Sequence, residues 1–404
     1  MKAAATRVVQ RLQTSGFTAF FAGGSVRDML MGREPHDYDV ATSARPDQVK
    51  ALFRRTRMVG AKFGVVLVRM GRHDIEVATF RTDFSYSDGR RPERVVFTTP
   101  EEDARRRDFT INGMFYDPIK RVVVDHVGGQ ADLKAGLIRA IGDPEERFAE
   151  DHLRLLRAVR FAARLDFVIE PATWEAIRRH AKEIKRISPE RIRMELEAIL
   201  SHPQRASAIE MLQRAGLLAH LWTGAELLCP HVAQIVRTLA ALPERARYEL
   251  GLAATLLPLP LPQVRRACAA LRCSNATQQT VRWLIEKQPG LDKRSSLSLA
   301  DLKRLMAHDA FADLMDLFAA KLKSQGADSS PHDEIQTRAN HIAPEDVAPP
   351  PLLGGNDLAE LGLPSGPTYK TILDRVYDAQ LNEEIHDRGE AIVMARRLIK
   401  ELQE

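Results

Sequence analysis

The chain is poor in cysteine and has no long apolar run. Its three cysteines, Cys229, Cys268 and Cys273, are odd in number and show neither CxxC nor zinc-ligand spacing. That excludes a disulfide framework and a sequence-legible zinc site, and leaves buried thiols in a reducing compartment as the expectation. No stretch approaches the roughly eighteen apolar residues that cross a bilayer. Met1 to Gln13 carries three basic residues and no apolar block of signal-peptide length. We therefore expect a cytoplasmic protein without membrane attachment. No internal repeat is present, and no long basic extension closes the chain. What is there is ample material for several packed cores, with 404 residues of which 44% are hydrophobic. Charge is nearly balanced: 59 basic against 54 acidic residues give a formal +5. That permits a nucleic-acid partner without requiring one.

The most informative stretch is Phe20 to Ser43, FFAGGSVRDMLMGREPHDYDVATS. Ala19 to Ala22 reads as a buried strand, Gly23-Gly24 as a turn, Ser25 as an N-cap, and Val26 to Met31 as a short helix ended by Gly32. Asp37 to Ala41 returns as a second strand, where alternation puts Asp37 and Asp39 on one face. Two parallel carboxylates beside a glycine turn that opens a helix suit a magnesium-bound triphosphate. Hard oxygen ligands take the metal, while backbone N–H groups at Gly24 and the guanidinium of Arg27 meet phosphates. A DxD or a Gly-Gly turn alone is more often structural; the order and closeness of the two give the signal. The arrangement resembles the signature of the nucleotidyltransferase superfamily that includes DNA polymerase beta.

Up to about Asp143 the chain mixes strands and helices. Val65 to Met70, Asp74 to Phe80, Arg94 to Phe97 and Val122 to Asp125 read as strands. From Pro144 onward the strand signal disappears and helical periodicity takes over. Breaks at Ser324 to Pro331 and in the proline-rich Ala343 to Leu352 set off a tail. The fold class expected is α+β: an α/β head over 1–143, then an elongated all-helical neck (144–206), body (207–325) and tail (326–404).

Further residues carry chemistry. In His73 to Ala78 alternation gives Glu76 a face with Asp74 and Ala78. Beside the Asp37–Asp39 strand, Glu76 would complete a carboxylate trio and orient, or act as base for, an attacking hydroxyl. On spacing alone an ordinary exposed strand residue fits as well. Arg81 to Val95 is polar and aperiodic, long for a hairpin loop and therefore a candidate functional loop. Arg105-Arg106-Arg107 leads into a helix expected over the following residues, anchored by Phe109, Ile111 and Met114. Near a phosphate site this cluster, Arg107 included, would neutralise a triphosphate. In Glu150 to Arg164, Asp151, Arg154 and Arg157, and less strictly Arg160 and Arg164, recur at three- and four-residue steps. A salt-bridged outer face of an amphipathic helix explains that spacing. So does a sharper reading. Ionised Asp only accepts and Arg only donates, so a side-by-side pair matches a base edge with an amine next to a ring-nitrogen acceptor. Cytosine and adenine share that order; uracil and guanine reverse it.

Together these motifs resemble the class II CCA-adding enzymes, tRNA nucleotidyltransferases that build and repair the tRNA CCA end. Bacterial poly(A) polymerases are close relatives. The first family motif corresponds to Gly23, Gly24, Val26, Arg27, Asp28, Asp37 and Asp39, and Glu76 stands at the third acidic position. Arg81 to Val95 is similar to the family's flexible loop, and Arg106 to Asn112 to its second motif, followed by Gly113 in place of the usual alanine. Asp125 to Leu133 resembles the head–neck hinge. Glu150, Asp151 and Arg154 match the amino-acid template, Arg157 and Arg160 triphosphate-binding positions, and Ser188 to Ile192 the buttressing neck motif. Asn356 to Leu381 looks like the tRNA-binding tail. The resemblance implies CCA addition to tRNA from CTP and ATP, with magnesium held by Asp37 and Asp39.

The alternative is poly(A) polymerase, with the same metals and reaction and another product. Such relatives tend to carry a basic pair where this chain has Val59-Gly60-Ala61-Lys62-Phe63-Gly64, which looks more like the CCA-adding pattern. Enzymes that add only CC are expected to lack the loop that Arg81 to Val95 supplies. A non-catalytic relic would be expected to have lost a metal carboxylate, and the scattered His-Asp dipeptides argue weakly for a metal phosphohydrolase.

Overall fold

A computed structural model describes residues 1–59, 64–86, 92–292, 297–364 and 366–401. They form two compact units, Met1–Val232 with Ala270–Arg272, and Ala233–Ala269 with Cys273–Glu404.

The first unit is built on a sheet whose strands are β1 (Ala19–Ala22), β2 (Asp39–Thr42), β3 (Thr56–Met58), β4 (Val65–Met70), β5 (His73–Thr79), β8 (Phe115–Asp117) and β9 (Val122–Val124). Their order is β3-β4-β5-β2-β1-β8-β9. Neighbours pair antiparallel except β2 and β5, which run parallel with Val40 opposite Val77. One face is covered by helix α1 (Lys2–Thr14), whose Ala5, Val8, Val9 and Leu12 follow the i, i+3, i+4, i+7 stripe. They bury against Phe21, Val40, Val66, Val68, Ile75 and Val77, the inward residues of alternating strands.

The turn after β1 starts helix α2 (Gly24–Leu30), one residue or two earlier than the sequence reading places it. Its N-cap is Gly23, and Ser25 bonds the Ala22 carbonyl at 3.1 Å rather than capping. Gly23 has φ +71°, and a Cβ there would lie 3.1 Å from Arg107 Nη1, so the position needs glycine. β2 begins at Asp39; Asp37 precedes the strand instead of lying within it. Helix α3 (Pro46–Leu52) follows.

Three expectations are corrected here. Arg81 to Val95 is not a structureless loop: β6 (Arg81–Tyr86) and β7 (Pro92–Phe97) pair antiparallel as a separate two-stranded ribbon, Arg81 opposite Phe97. Residues 87–91 of that segment, like 60–63 of the step from Val59 to Gly64, lie outside the described residues. Second, no continuous helix follows the arginine cluster. Helix α4 (Pro100–Arg105) stops at its first residue, a 3-10 turn covers Thr110–Asn112, and Phe115 already belongs to the sheet. β-branched Thr110 and Ile111 with Gly113 oppose helix propagation. A Cβ at Gly113 would meet Val127 Cγ2 at 2.7 Å, so this chain's packing has filled the place of the family's usual alanine methyl. Third, strand structure does not end at Pro144. β10 (Leu137–Ile138) pairs parallel with β11 (Val168–Ile169).

Helix α5 (Gly129–Ala135) is opened by Asp125, whose carboxylate accepts from the N–H groups of Val127, Gly129 and Gln130 at 2.8–3.1 Å. Next come α6 (Pro144–Glu150), α7 (Leu153–Leu165), α8 (Pro171–His180), α9 (Pro189–Leu200) and α10 (Arg205–Arg214). Glu150 to Arg164 is thus two helices, broken at Asp151 and His152. Asp151 has an extended backbone, φ −145°, so it stands ahead of α7 rather than on its face.

The described part of the second unit is helical. Tyr248–Leu256 and Phe311–Gln325 both pack against Asn275–Leu291. Helices Pro367–Leu381 and Arg388–Glu401 enclose Leu358, Ile372, Val376, Ala391, Ala395 and Leu398. The proline-rich segment is tied down there: Tyr377 donates to the Pro349 carbonyl and Gln380 to the Pro350 carbonyl, each at 2.9 Å. None of the three cysteines is in a disulfide. Among the described residues no helix is long and apolar enough to cross a membrane.

Candidate active site

Because β5 runs parallel beside β2 with Val40 opposite Val77, Glu76 falls next to Asp39 on the same face. The trio expected from alternation therefore converges. Asp39 pairs across β1 with Ala22, which places it beside the Gly23 turn. Asp37 and Asp39 line a cleft of about 430 Å³ together with Gly23, Gly24, Arg27 and Arg107. Glu76 lines an adjoining hollow of about 210 Å³ that shares Asp39, Arg106 and Arg107 with the first. Crowding by surrounding protein, then the negative charges of Glu76 and Asp37, push the Asp39 carboxyl up to about 6; Arg107 pulls the other way.

The basic wall is held by acids, and one of them, Asp103, carried no signal in the sequence. Asp103, 1% exposed, accepts from Arg106 Nε and Nη2 at 3.0 and 2.7 Å and from Arg107 Nε and Nη2 at 3.2 and 3.0 Å. These charges hold its carboxyl low against the upward pull of burial. Arg107 also lies over the Phe115 ring, 5.0 Å from its centroid. Arg27 is buried, with Nε on Asp28 Oδ1 and Nη1 on Asn112 Oδ1, both at 2.8 Å. Asp108 takes Arg157 Nε and Nη2 at 2.8 and 2.6 Å. Burial would raise its pKa, but the Arg157 charge, with bonds from Arg157, Asn112 and the Phe109 N–H, brings it down to about 2.

Asp151, Arg154 and Arg157 line the same cleft, as does Phe161 of α7. Asp151 is gripped by Arg191 of α9 and accepts the Leu153 N–H at 3.1 Å. Arg154 Nη1 donates to the Arg147 carbonyl at 2.8 Å and to Glu150 at 2.7 Å, and Nη2 to the Arg106 carbonyl at 3.2 Å. A carboxylate offers about four acceptor positions and a guanidinium five donors. Among the described residues one acceptor position of Asp151 and two N–H groups of Arg154 remain for a ligand. Arg160 is the member not brought to the cleft: its Nε meets Glu195 Oε2 at 2.7 Å and its guanidinium covers Phe161, 4.5 Å from the centroid. Phe161 also carries Arg27 and Arg157 on its ring, at 5.4 and 5.2 Å. Its position among the arginines of α7 was visible in the sequence, and Arg191 lies in Ser188 to Ile192, the motif the resemblance marks as a buttress; Glu195, on the same helix as Arg191, gave no such signal.

The donor set fits a hard divalent cation. Two carboxylates open to a cleft, with a third beside them, hold unneutralised negative charge, and a small cation of this kind takes one or two carboxylates plus substrate phosphates. Among the described residues no three metal-binding side chains close into a ready-made cage.

Comparison with known proteins follows the same lines. Residues 19–139 match a family model described as the poly A polymerase head domain, and 166–240 one described as a probable RNA and SrmB-binding site of polymerase A. The CCA-adding enzyme of Geobacillus thermodenitrificans is 35% identical over 397 residues, covering 95% of this chain and 94% of that one. The chain belongs to the CCA-adding enzyme family. The CCA-adding enzyme of Streptococcus mutans is 35% identical over 373 residues, with 91% and 90% covered. The crystal structure of the Bacillus stearothermophilus CCA-adding enzyme in complex with CTP superposes with a TM-score of 0.83 at 29% identity, covering 99% of this chain and 98% of that one. The α+β class, with a mixed head and a helical remainder, is thereby that of the CCA-adding enzyme family.

Proposed function

We propose that this protein adds CCA to the 3′ end of tRNA from CTP and ATP, without a nucleic-acid template, releasing pyrophosphate at each step. The observation that carries the reading is the shared cleft. Asp37 and Asp39 line it together with Asp151 and Arg154, the last two each with bonding capacity left over. The family membership and the full-length matches to CCA-adding enzymes support it over the poly(A) polymerase alternative.

In this reading Asp37 and Asp39 would hold magnesium, which when bound lowers the pKa of the attacking hydroxyl and offsets triphosphate charge. Glu76, next to Asp39, orients the tRNA 3′-hydroxyl or takes its proton. Gly24 and Arg27 at the start of α2, with Arg107 beside the Gly23 turn, face the phosphates. Asp151 accepts from the exocyclic amine of C or A and Arg154 donates to the neighbouring ring nitrogen. Arg157, locked to Asp108, lines the nucleotide cleft, and Arg160, through Glu195 and Phe161, shapes it. We read 1–143 as head, 144–206 as neck, 207–325 as body and 326–404 as a tail that grips the tRNA, in a cytoplasmic enzyme without membrane attachment. Incubation with a tRNA lacking CCA and single nucleotides tests the reading. CTP alone is expected to extend the tRNA by two residues, ATP only after CTP, and UTP and GTP not at all. Processive extension with ATP alone would favour the poly(A) reading instead.

A further inference from the structure

Two side chains that line the cleft make opposite demands on a third. Arg27 only donates, and Asp108, ionised because its pKa is brought down to about 2, only accepts. Asn112 stands between them and also lines the cleft. Its Oδ1 accepts from Arg27 Nη1 at 2.8 Å, and its Nδ2 donates to Asp108 Oδ1 at 3.2 Å. A side-chain amide does both at once, one from each end, and these two partners fix which end is the oxygen. The turn that carries it is anchored in its own right. The Asn112 N–H bonds the Phe109 carbonyl at 2.9 Å, and Thr110 Oγ1 donates to Asp132 Oδ2 of α5 at 2.7 Å.

Arg27 lies where its aim matters. Its Nε donates to Asp28 Oδ1 at 2.8 Å, and Nη2 is 2.7 Å from the same oxygen. A Cβ at Gly24 would sit 3.6 Å from Nη2, so the guanidinium lies against the Gly23–Gly24 turn. A guanidinium has five N–H donors. With Nε, Nη2 and Nη1 each engaged once, one N–H on each terminal nitrogen is left for a ligand among the described residues. Asp28 grips one edge of the group and Asn112 the other. Stacking does not fix the aim, since a ring face attracts a cation without fixing where its N–H groups point, and Arg157 lies over the same Phe161 ring. Arg157 is held in turn by Asp108, so donors and acceptors alternate from Arg157 through Asp108 and Asn112 to Arg27.

We infer that Asn112 is a positioning residue: by tying Arg27 to the Asp108–Arg157 pair it aims the remaining N–H groups at the β- and γ-phosphates, and so sets how strongly a triphosphate is gripped, whichever base it carries. The inference rests on the phosphate-facing role given above to Arg27. The test is equilibrium binding of CTP, ATP and CMP to the full chain with magnesium. Asn112→Ala is expected to weaken CTP and ATP by the same factor, about tenfold or more, as for a lost hydrogen bond to a charged group. CMP, which lacks the two outer phosphates, is expected to bind as before. Asn112→Ser, whose hydroxyl is too short to span both partners, is expected to act likewise and carries the test should the alanine variant not fold. In an Arg27→Gln protein, Asn112→Ala is expected to add no further loss, because the group it positions is already gone. Equal weakening of CTP and CMP, or losses that multiply in the double variant, would overturn the positioning role alone. A wild-type protein that binds CTP no more tightly than CMP would overturn the phosphate role of Arg27 and the inference together.

Discussion

Arg191 holds both carboxylate oxygens of Asp151, donating from Nη1 to Oδ1 at 3.1 Å and from Nη2 to Oδ2 at 2.8 Å. The two residues lie 40 positions apart on different elements. A fork-to-fork pair fixes the carboxylate's plane as well as its charge. Asp151 sits where two helices break, so its own backbone supplies little of that rigidity.

Arg191→Lys is therefore expected to leave the nucleotide cleft intact but Asp151 loosely aimed. Loss of one charge-assisted hydrogen bond is worth roughly 1.5–3 kcal/mol, or about one to two decades in kcat/KM for CTP and ATP. Steady-state kinetics with both nucleotides check this; unchanged efficiency would mean that Asp151 is positioned by its own segment.

Asp37→Ala and Asp39→Ala are each expected to abolish nucleotide transfer, because losing a metal-bearing carboxylate removes several kcal/mol of transition-state stabilisation. Both side chains are exposed to the cleft, so thermal unfolding is expected to change little. A soluble Asp37→Ala protein with near-wild-type turnover would remove the metal assignment.

Asp39 beside Glu76 was legible in the sequence because it needed only strand alternation plus one adjacency, β2 beside β5; Asp37 lies just ahead of β2, where alternation does not reach. Other parts were not. The β6–β7 ribbon stands outside the main sheet, and its residues show no apolar alternation in the sequence, so Arg81 to Val95 reads as aperiodic and polar. Asp103 and Arg107 are an i, i+4 pair that could have been matched, but nothing in the sequence says that the aspartate is buried. Asp151 and Arg154 were read as one helix face, and the break between α6 and α7 was missed because the charge spacing continues across it. The grip of Arg191 on Asp151 is a tertiary contact that spacing does not reveal.

Protonation gives two opposite pH signatures. Asp39, raised from an ordinary 3.8 to about 6, binds its proton more tightly in the folded protein. In the metal-free protein its contribution to stability is present below about pH 4 and is lost as pH rises through 6. Protons also compete with the cation there, so divalent-metal affinity measured by calorimetry is expected to fall below pH 6. Asp108, lowered from 3.8 to about 2, works the other way: its contribution is present above about pH 4 and lost as pH falls through 2. Asp108→Asn is expected to cost about 2 kcal/mol at pH 7 in urea unfolding, a difference that shrinks towards pH 2.

Shortening the β6–β7 ribbon at its far end is expected to leave addition of the two cytosines and to impair the final adenine. Gel analysis of the products checks this. Equal slowing of all three additions would reduce the ribbon to a connection.

The central claim is that protein side chains, not a nucleic acid, select the nucleotide. Single-turnover incorporation of CTP, ATP, UTP and GTP by wild type and Asp151→Ala tests it most directly. Asp151 is read as accepting from an amine and repelling the carbonyl that uracil and guanine place there. The variant is expected to lose one to two decades in efficiency with CTP and ATP. Its refusal of UTP and GTP is expected to shrink. A slower variant that still discriminates as wild type does would contradict the account and leave Asp151 a support for the cleft wall.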